Sequence, residues 1–124
     1  KEIDYQYKEI GVPYTAVDGL TVILHDFRVR ERTGSFEYSI SYELRNDTTD
    51  QAIDEGSFKL FYSNKSGGLS QYGFFETLFP GDSTTRTYTF EALKSDTFGL
   101  LQYHHDHFRA SEPVKNGLNW KVEY

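Results

Sequence analysis

The chain has 124 residues, about the usual size of one domain, with 37% hydrophobic and 26% charged residues, which excludes a disordered tail. There is no cysteine, so disulfides, thiolate metal sites and cysteine nucleophiles are excluded. The formal net charge of −6 comes from 19 Asp and Glu against 13 scattered Lys and Arg. That balance disfavours nucleic acid, whose binders replace released counterions with a basic face.

Ten Phe and ten Tyr point to a core of large rings. Each buries roughly 150–250 Å². No run of about 18 apolar residues is present, so no transmembrane segment is expected. The chain begins at Lys1 and contains no Met. The reading is an exported, extracellular or cell-surface domain, with a signal peptide or lipid anchor upstream.

In chain order, residues 3–10 read as an edge strand. Residues 21–32 place Val22 and Leu24 on one face and then shift phase to Phe27 and Val29, as a β-bulge would produce. Residues 36–45 alternate without error. Phe36, Tyr38, Ile40, Tyr42 and Leu44 lie on one face, and Glu37, Ser39, Ser41, Glu43 and Arg45 on the other. A run of turn formers follows at 46–50. Residues 57–63 alternate Phe58, Leu60 and Tyr62 and stop at a hairpin-type loop, 64–68. Residues 74–79 read as a short strand ending in the turn Pro80-Gly81-Asp82-Ser83, and 84–90 resume alternation. One helical turn fits residues 91–95. Residues 98–103 and 118–124 are the last strands, the latter with Leu118, Trp120, Val122 and Tyr124 on one face. Seven or eight short strands and no helical period predict one antiparallel β-sandwich over residues 1–124.

The segments Tyr42-Glu43-Leu44-Arg45-Asn46-Asp47-Thr48, Phe58-Lys59-Leu60-Phe61-Tyr62, Leu78-Phe79-Pro80-Gly81-Asp82-Ser83 and Thr87-Tyr88-Thr89-Phe90 carry a resemblance. The chain resembles immunoglobulin-like domains of unassigned function from secreted proteins and lipoproteins of Gram-positive bacteria. The mycobacterial secreted immunoprotective antigen has a similar sandwich. The resemblance spans roughly half the chain, residues 36–90. It implies an immunoglobulin-like sandwich, an extracellular address and no catalytic residues. After Leu101 the chain departs from that pattern.

The one local concentration of metal-type ligands is Tyr103-His104-His105-Asp106-His107-Phe108. On a continued strand, His105 and His107 would share a face, and two imidazoles at that spacing suit zinc or copper. Asp106 or His25 would supply a third ligand. The competing reading is a solvated polar loop. Asp47, Asp50, Asp54 and Glu55 form an acidic cluster without the spacing of a calcium loop. Nothing matches a nucleophile elbow or a phosphate loop, since Gly67-Gly68 is a turn pair. Tyr5, Tyr7, Tyr14, Tyr72, Phe74 and Phe75 fall outside the alternating runs and are candidates for sugar stacking, with core packing as the alternative. The expected role is non-enzymatic contact with a protein or cell-envelope component. Metal capture and carbohydrate binding stand as the other readings.

Overall fold

The protein is described by a computed structural model covering residues 6–72, 74–106 and 111–122. Among the described residues the fold is all-β and antiparallel. Ten strands are formed: β1 (Tyr14–Thr15), β2 (Leu20–Arg32), β3 (Ser35–Asn46), β4 (Ile53–Asp54), β5 (Ser57–Tyr62), β6 (Gly68–Ser70), β7 (Thr77–Leu78), β8 (Ser83–Leu93), β9 (Phe98–His104) and β10 (Leu118–Lys121). One sheet runs β1-β2-β3-β8 and a second β10-β9-β5-β6, while β4 and β7 form a small third sheet. The excess over seven or eight strands comes from pieces of two or three residues, too short to show alternation.

Alternation in the sequence becomes burial in the fold. In β3, Tyr38, Ile40, Tyr42 and Leu44 are buried while the residues between them are not. The pairing of β2 with β3 slips between Leu24 and Asp26, which makes His25 the extra residue and carries Phe27 and Val29 back to the core side. The two large sheets share one hydrophobic cluster, drawn from Val22, Leu24, Tyr38, Tyr42 and Phe90 of the first and Phe58, Leu60, Leu101, Tyr103 and Trp120 of the second. Aromatic rings bridge the sheets, with Tyr42 and Phe58 centroids 4.6 Å apart and Tyr38 and Phe98 at 4.9 Å.

Two sequence expectations change. Residues 91–93 are not helical but extend β8, because Glu91, Ala92 and Leu93 continue its pairing with β3, and the chain turns only at Lys94-Ser95. Of residues 74–79, only Thr77–Leu78 form a strand. Phe74 instead turns toward β8, with the Arg86 guanidinium 4.5 Å from its ring centre. Residues 3–5 and Tyr124 lie outside the described residues. Of the rest of 3–10, Tyr7 makes a single parallel bridge to Asn119.

Three buried amide side chains tie the loops to this framework. Asn46, fully buried, donates through Nδ2 to the carbonyls of Gln51 (2.6 Å) and Leu78 (2.9 Å), and its Oδ1 accepts from Thr48 N and Oγ1. Its backbone pairs with Asp82 O and Gly81 N. Asn-x-Thr and the Pro-Gly turn, thirty-odd residues apart in sequence, are thus one hydrogen-bonded unit. Gly81 takes φ +88° there, the left-handed value that glycine tolerates without strain. Gln71 donates to the Tyr42 hydroxyl at 2.6 Å and accepts from Phe58 N.

Gln102, on the outer face of β9, accepts from Val114 N (2.9 Å) and donates to Val114 O (3.0 Å) and Asn119 Oδ1 (2.6 Å). It holds residues 111–117 against the sheet in the way a neighbouring strand would. A side chain on Gly117 would collide with Gln102. Gln102→Leu leaves the part-buried Val114 N–H unpaired, while Val114 O keeps Gly117 N at 3.4 Å, and is expected to cost about 2 kcal/mol. Hydrogen exchange reads this directly, as the Val114 amide should lose its protection; equal protection in the variant would refute the clamp.

Burial pushes the Tyr42 phenol up to about 12 from its ordinary 10, by more than the Gln71 amide pulls it down, and burial pushes Tyr103 higher still. A phenol whose folded value is raised contributes stability that is complete below about pH 10 and drains as pH climbs toward about 12. For Tyr42 alone that is about 3 kcal/mol. Thermal melts across this window should fall steeply, and Tyr42→Phe should flatten the slope.

Candidate functional site

Strand β9 ends at His104, and His105 and Asp106 lie in the following turn. Side-chain alternation therefore does not run on through His105. His104 pairs with Ser57 on the outer side of its sheet, since its neighbour Tyr103 faces the core. Its ring lies against that of His105, with centroids 4.2 Å apart. The backbone N–H of Asp106 donates to His104 Nδ1 at 3.0 Å. An imidazole accepting at Nδ1 carries its neutral-form proton at Nε2, so this bond works against a metal at Nε2. Burial, and then the neighbouring His105, hold the His104 imidazolium below its ordinary value. His107 lies outside the described residues.

His25 does not join this cluster. It stands at the bulge of β2, in the other sheet, with Nε2 3.1 Å from Glu43 Oε1. Among the described residues no three His, Asp or Glu side chains are arranged to hold a metal ion.

A residue that the sequence reading passed over does approach the histidines. Asp18, in the turn between β1 and β2, lines one surface depression with Asp54 and His105. Its Oδ1 accepts from Leu20 N, while its Oδ2 is buried with no hydrogen-bond partner. Asp-Gly at 18–19 reads as an ordinary turn pair, so no sequence signal marked it.

The acidic cluster disperses. Asp47 accepts from Thr21 Oγ1 and Asp54 from Thr77 Oγ1. Glu55 turns inward, where its fully buried carboxylate meets Arg86 through Nε (3.2 Å) and Nη2 (2.8 Å). Arg86 Nη2 also reaches Glu76 Oε1 at 2.8 Å. Asp47, Asp54 and Glu55 serve loop architecture, each with its own partner.

Of the aromatics proposed for stacking, Tyr5 lies outside the described residues. Tyr14 is half-buried, beneath the Lys8 ammonium, and Phe74 packs on Arg86 and edge-on to Tyr88. Tyr7 is 45% exposed. The strongest exposure is in the segment joining β6 to β8, where Tyr72, Phe75 and Phe79 are 62%, 65% and 59% exposed.

Comparison with protein-family models, curated proteins and solved structures finds no match to this chain. The class the observations define is an all-β fold of antiparallel sheets around an aromatic core. Among the described residues no helix is long and apolar enough to cross a membrane.

Proposed function

We propose that this chain is an immunoglobulin-like, non-enzymatic binding domain of an exported protein, which contacts a protein or cell-envelope component at the cell surface. The observation that carries this reading is the loop bearing Tyr72, Phe75 and Phe79. A fold that buries or half-buries most of its described rings displays three large apolar side chains, each more than half exposed, within eight residues. Large apolar side chains exposed together in one loop suit a contact surface, where aromatic side chains are enriched. The motif resemblance supports the immunoglobulin-like topology and the extracellular address.

The test places a photo-crosslinking phenylalanine analogue at position 75, and separately at Thr33 on the far hairpin, in the producing cell. A discrete adduct from position 75 and none from position 33 is expected. Adducts from neither, or turnover by the purified domain in a broad hydrolase panel, would overturn the reading. Titration with peptidoglycan fragments separates sugar stacking: heat that disappears in Tyr72→Ala would move the assignment to a carbohydrate-binding module.

A second reading, capture of zinc or copper through His104, His105, Asp106 and His107, is favoured by Asp18. An unsatisfied buried carboxylate oxygen calls for an ion, a water or a proton, and this one borders His105. A metal at a hundredfold over its dissociation constant adds about 2.7 kcal/mol, a rise of about 10 °C for a domain of this size. That rise should vanish in Asp18→Asn and when His105→Ala is combined with His107→Ala. Melts unchanged by zinc and copper after EDTA treatment would eliminate this reading.

A further inference from the structure

Each sheet edge leaves backbone N–H and C=O groups without strand partners, and proteins blunt such edges by brevity, bulges, charge or cover. Among the described residues every long edge but one is treated in this way. Strands β1, β4, β6 and β7 have two or three residues. The four-residue β10 is flanked by Tyr7, which bridges to Asn119, and by Lys8 N, which donates to Asn119 O. The edge of β2 beyond β1 is broken by the His25 bulge and carries exposed Arg28, Arg30 and Arg32.

Strand β8 has none of these devices from Ser83 to Phe90, its one outward charge, Glu91, lying toward its far end. It pairs with β3 over eleven consecutive positions without a register shift. It contains no proline and no lysine, and among the described residues its other side meets no strand. Its outward residues from Ser83 to Thr89 are Ser83, Thr85, Thr87 and Thr89, all uncharged. Two of them already make hydroxyl pairs with the neighbouring strand, Ser39–Thr89 at 2.9 Å and Ser41–Thr87 at 3.2 Å. Its single cation, Arg86, faces inward and is held by Glu55 and Glu76.

We propose that this edge takes a second copy of the chain, the two β8 strands pairing antiparallel about a twofold axis at Thr87 and joining two sheets into one. The argument for self-pairing is the local sequence Thr85-Arg86-Thr87-Tyr88-Thr89. It is symmetric in its outward residues about Thr87. In that register Thr85 faces the partner's Thr89, and Arg86 faces the partner's Tyr88, which suits a cation beside a ring. Thr84 faces Phe90 and Ser83 faces Glu91, so no like charges oppose. An axis at Arg86 would set two arginines face to face. Isologous pairing closes after two copies, so the unprotected edge is consumed rather than extended. The inference goes beyond the binding reading and does not use the 72–79 loop.

Sedimentation velocity on the purified protein tests it. A concentration-dependent dimer is expected. Thr85→Lys with Thr89→Lys, both on the solvent face, sets lysine against lysine across the axis and should weaken dimerisation at least tenfold. Thr85→Lys with Thr89→Glu sets opposite charges together and should restore it. A wild-type monomer at high concentration would overturn the proposal, as would a dimer indifferent to the lysine pair. A dimer that is not rescued by the charge pair would overturn the register. Circular dichroism melts confirm that both variants fold, and the position-75 crosslink reports independently on the binding reading.

Discussion

Phe58→Ala should lower the stability of the domain by about 4 kcal/mol, the upper range for truncating a buried aromatic, with a fall in Tm of about 15 °C. Phe58 is fully buried and stands between the sheets, with ring centres 4.6 Å from Tyr42, 5.2 Å from Tyr103 and 5.7 Å from Trp120. The size of the effect depends on whether the neighbours can close the hole. Tyr42 is tethered through its hydroxyl to Gln71, and Tyr103 through its own to Gly56 N at 2.8 Å. Neither ring can move in without losing a buried hydrogen bond. Phe58→Leu leaves less empty space and should cost about 1–1.5 kcal/mol, and Phe75→Ala, on the surface, close to nothing. Equilibrium denaturation of the three variants checks the order; a Phe58→Ala loss below that of Phe58→Leu would refute the packing argument.

Arg86→Met should cost about 3–5 kcal/mol, because it strands the buried Glu55 carboxylate without its counter-ion. Glu76 N still donates to Glu55 Oε2 at 3.0 Å, which is too little to stabilise a full charge out of water. Glu55→Leu alone should cost less, as Arg86 is partly exposed and keeps Glu76. Combining Arg86→Met with Glu55→Leu should recover much of the loss, since two apolar side chains need no desolvation repaid. A double-mutant cycle measures this, and strict additivity of the two single losses would show that the pair is not coupled.

How much of this could be read beforehand follows from the range of each interaction. Alternation is a local property, so β3 with its five inward residues and the phase shift at His25 were legible from the sequence. Tyr14–Thr15 and Ile53–Asp54 were not, because two residues carry no period and owe their strand geometry to the strands they pair with, Thr21 and Val22 for the first and Thr77 and Leu78 for the second. Glu91 and Ala92 looked ambiguous alone and became strand because β3 was there to pair with. The resemblance pointed to Asn-x-Thr and the Pro-Gly turn but not to their contact, which exists only once β7 brings Leu78 against Asn46. The metal reading rested on histidines adjacent in sequence. Folding ends the strand at His104, sends His25 to the other sheet and introduces Asp18 from a turn some 86 residues earlier. The acidic cluster shows the reverse case, carboxylates close in sequence that the fold distributes to separate partners.

The slip at His25 has a consequence for how this chain tolerates changes of length. Removing one residue ahead of the slip, such as Ile23, would turn every later side chain to the opposite face and put arginines where Phe27 and Val29 now sit. Removing His25 would not, since Leu24 would then be followed by Asp26 and Phe27 in unbroken inward-outward order. Positions 25 and 26, the two outward residues at the slip, are therefore the places in the interior of this thirteen-residue strand where a single-codon deletion keeps every remaining residue on its own side of the sheet.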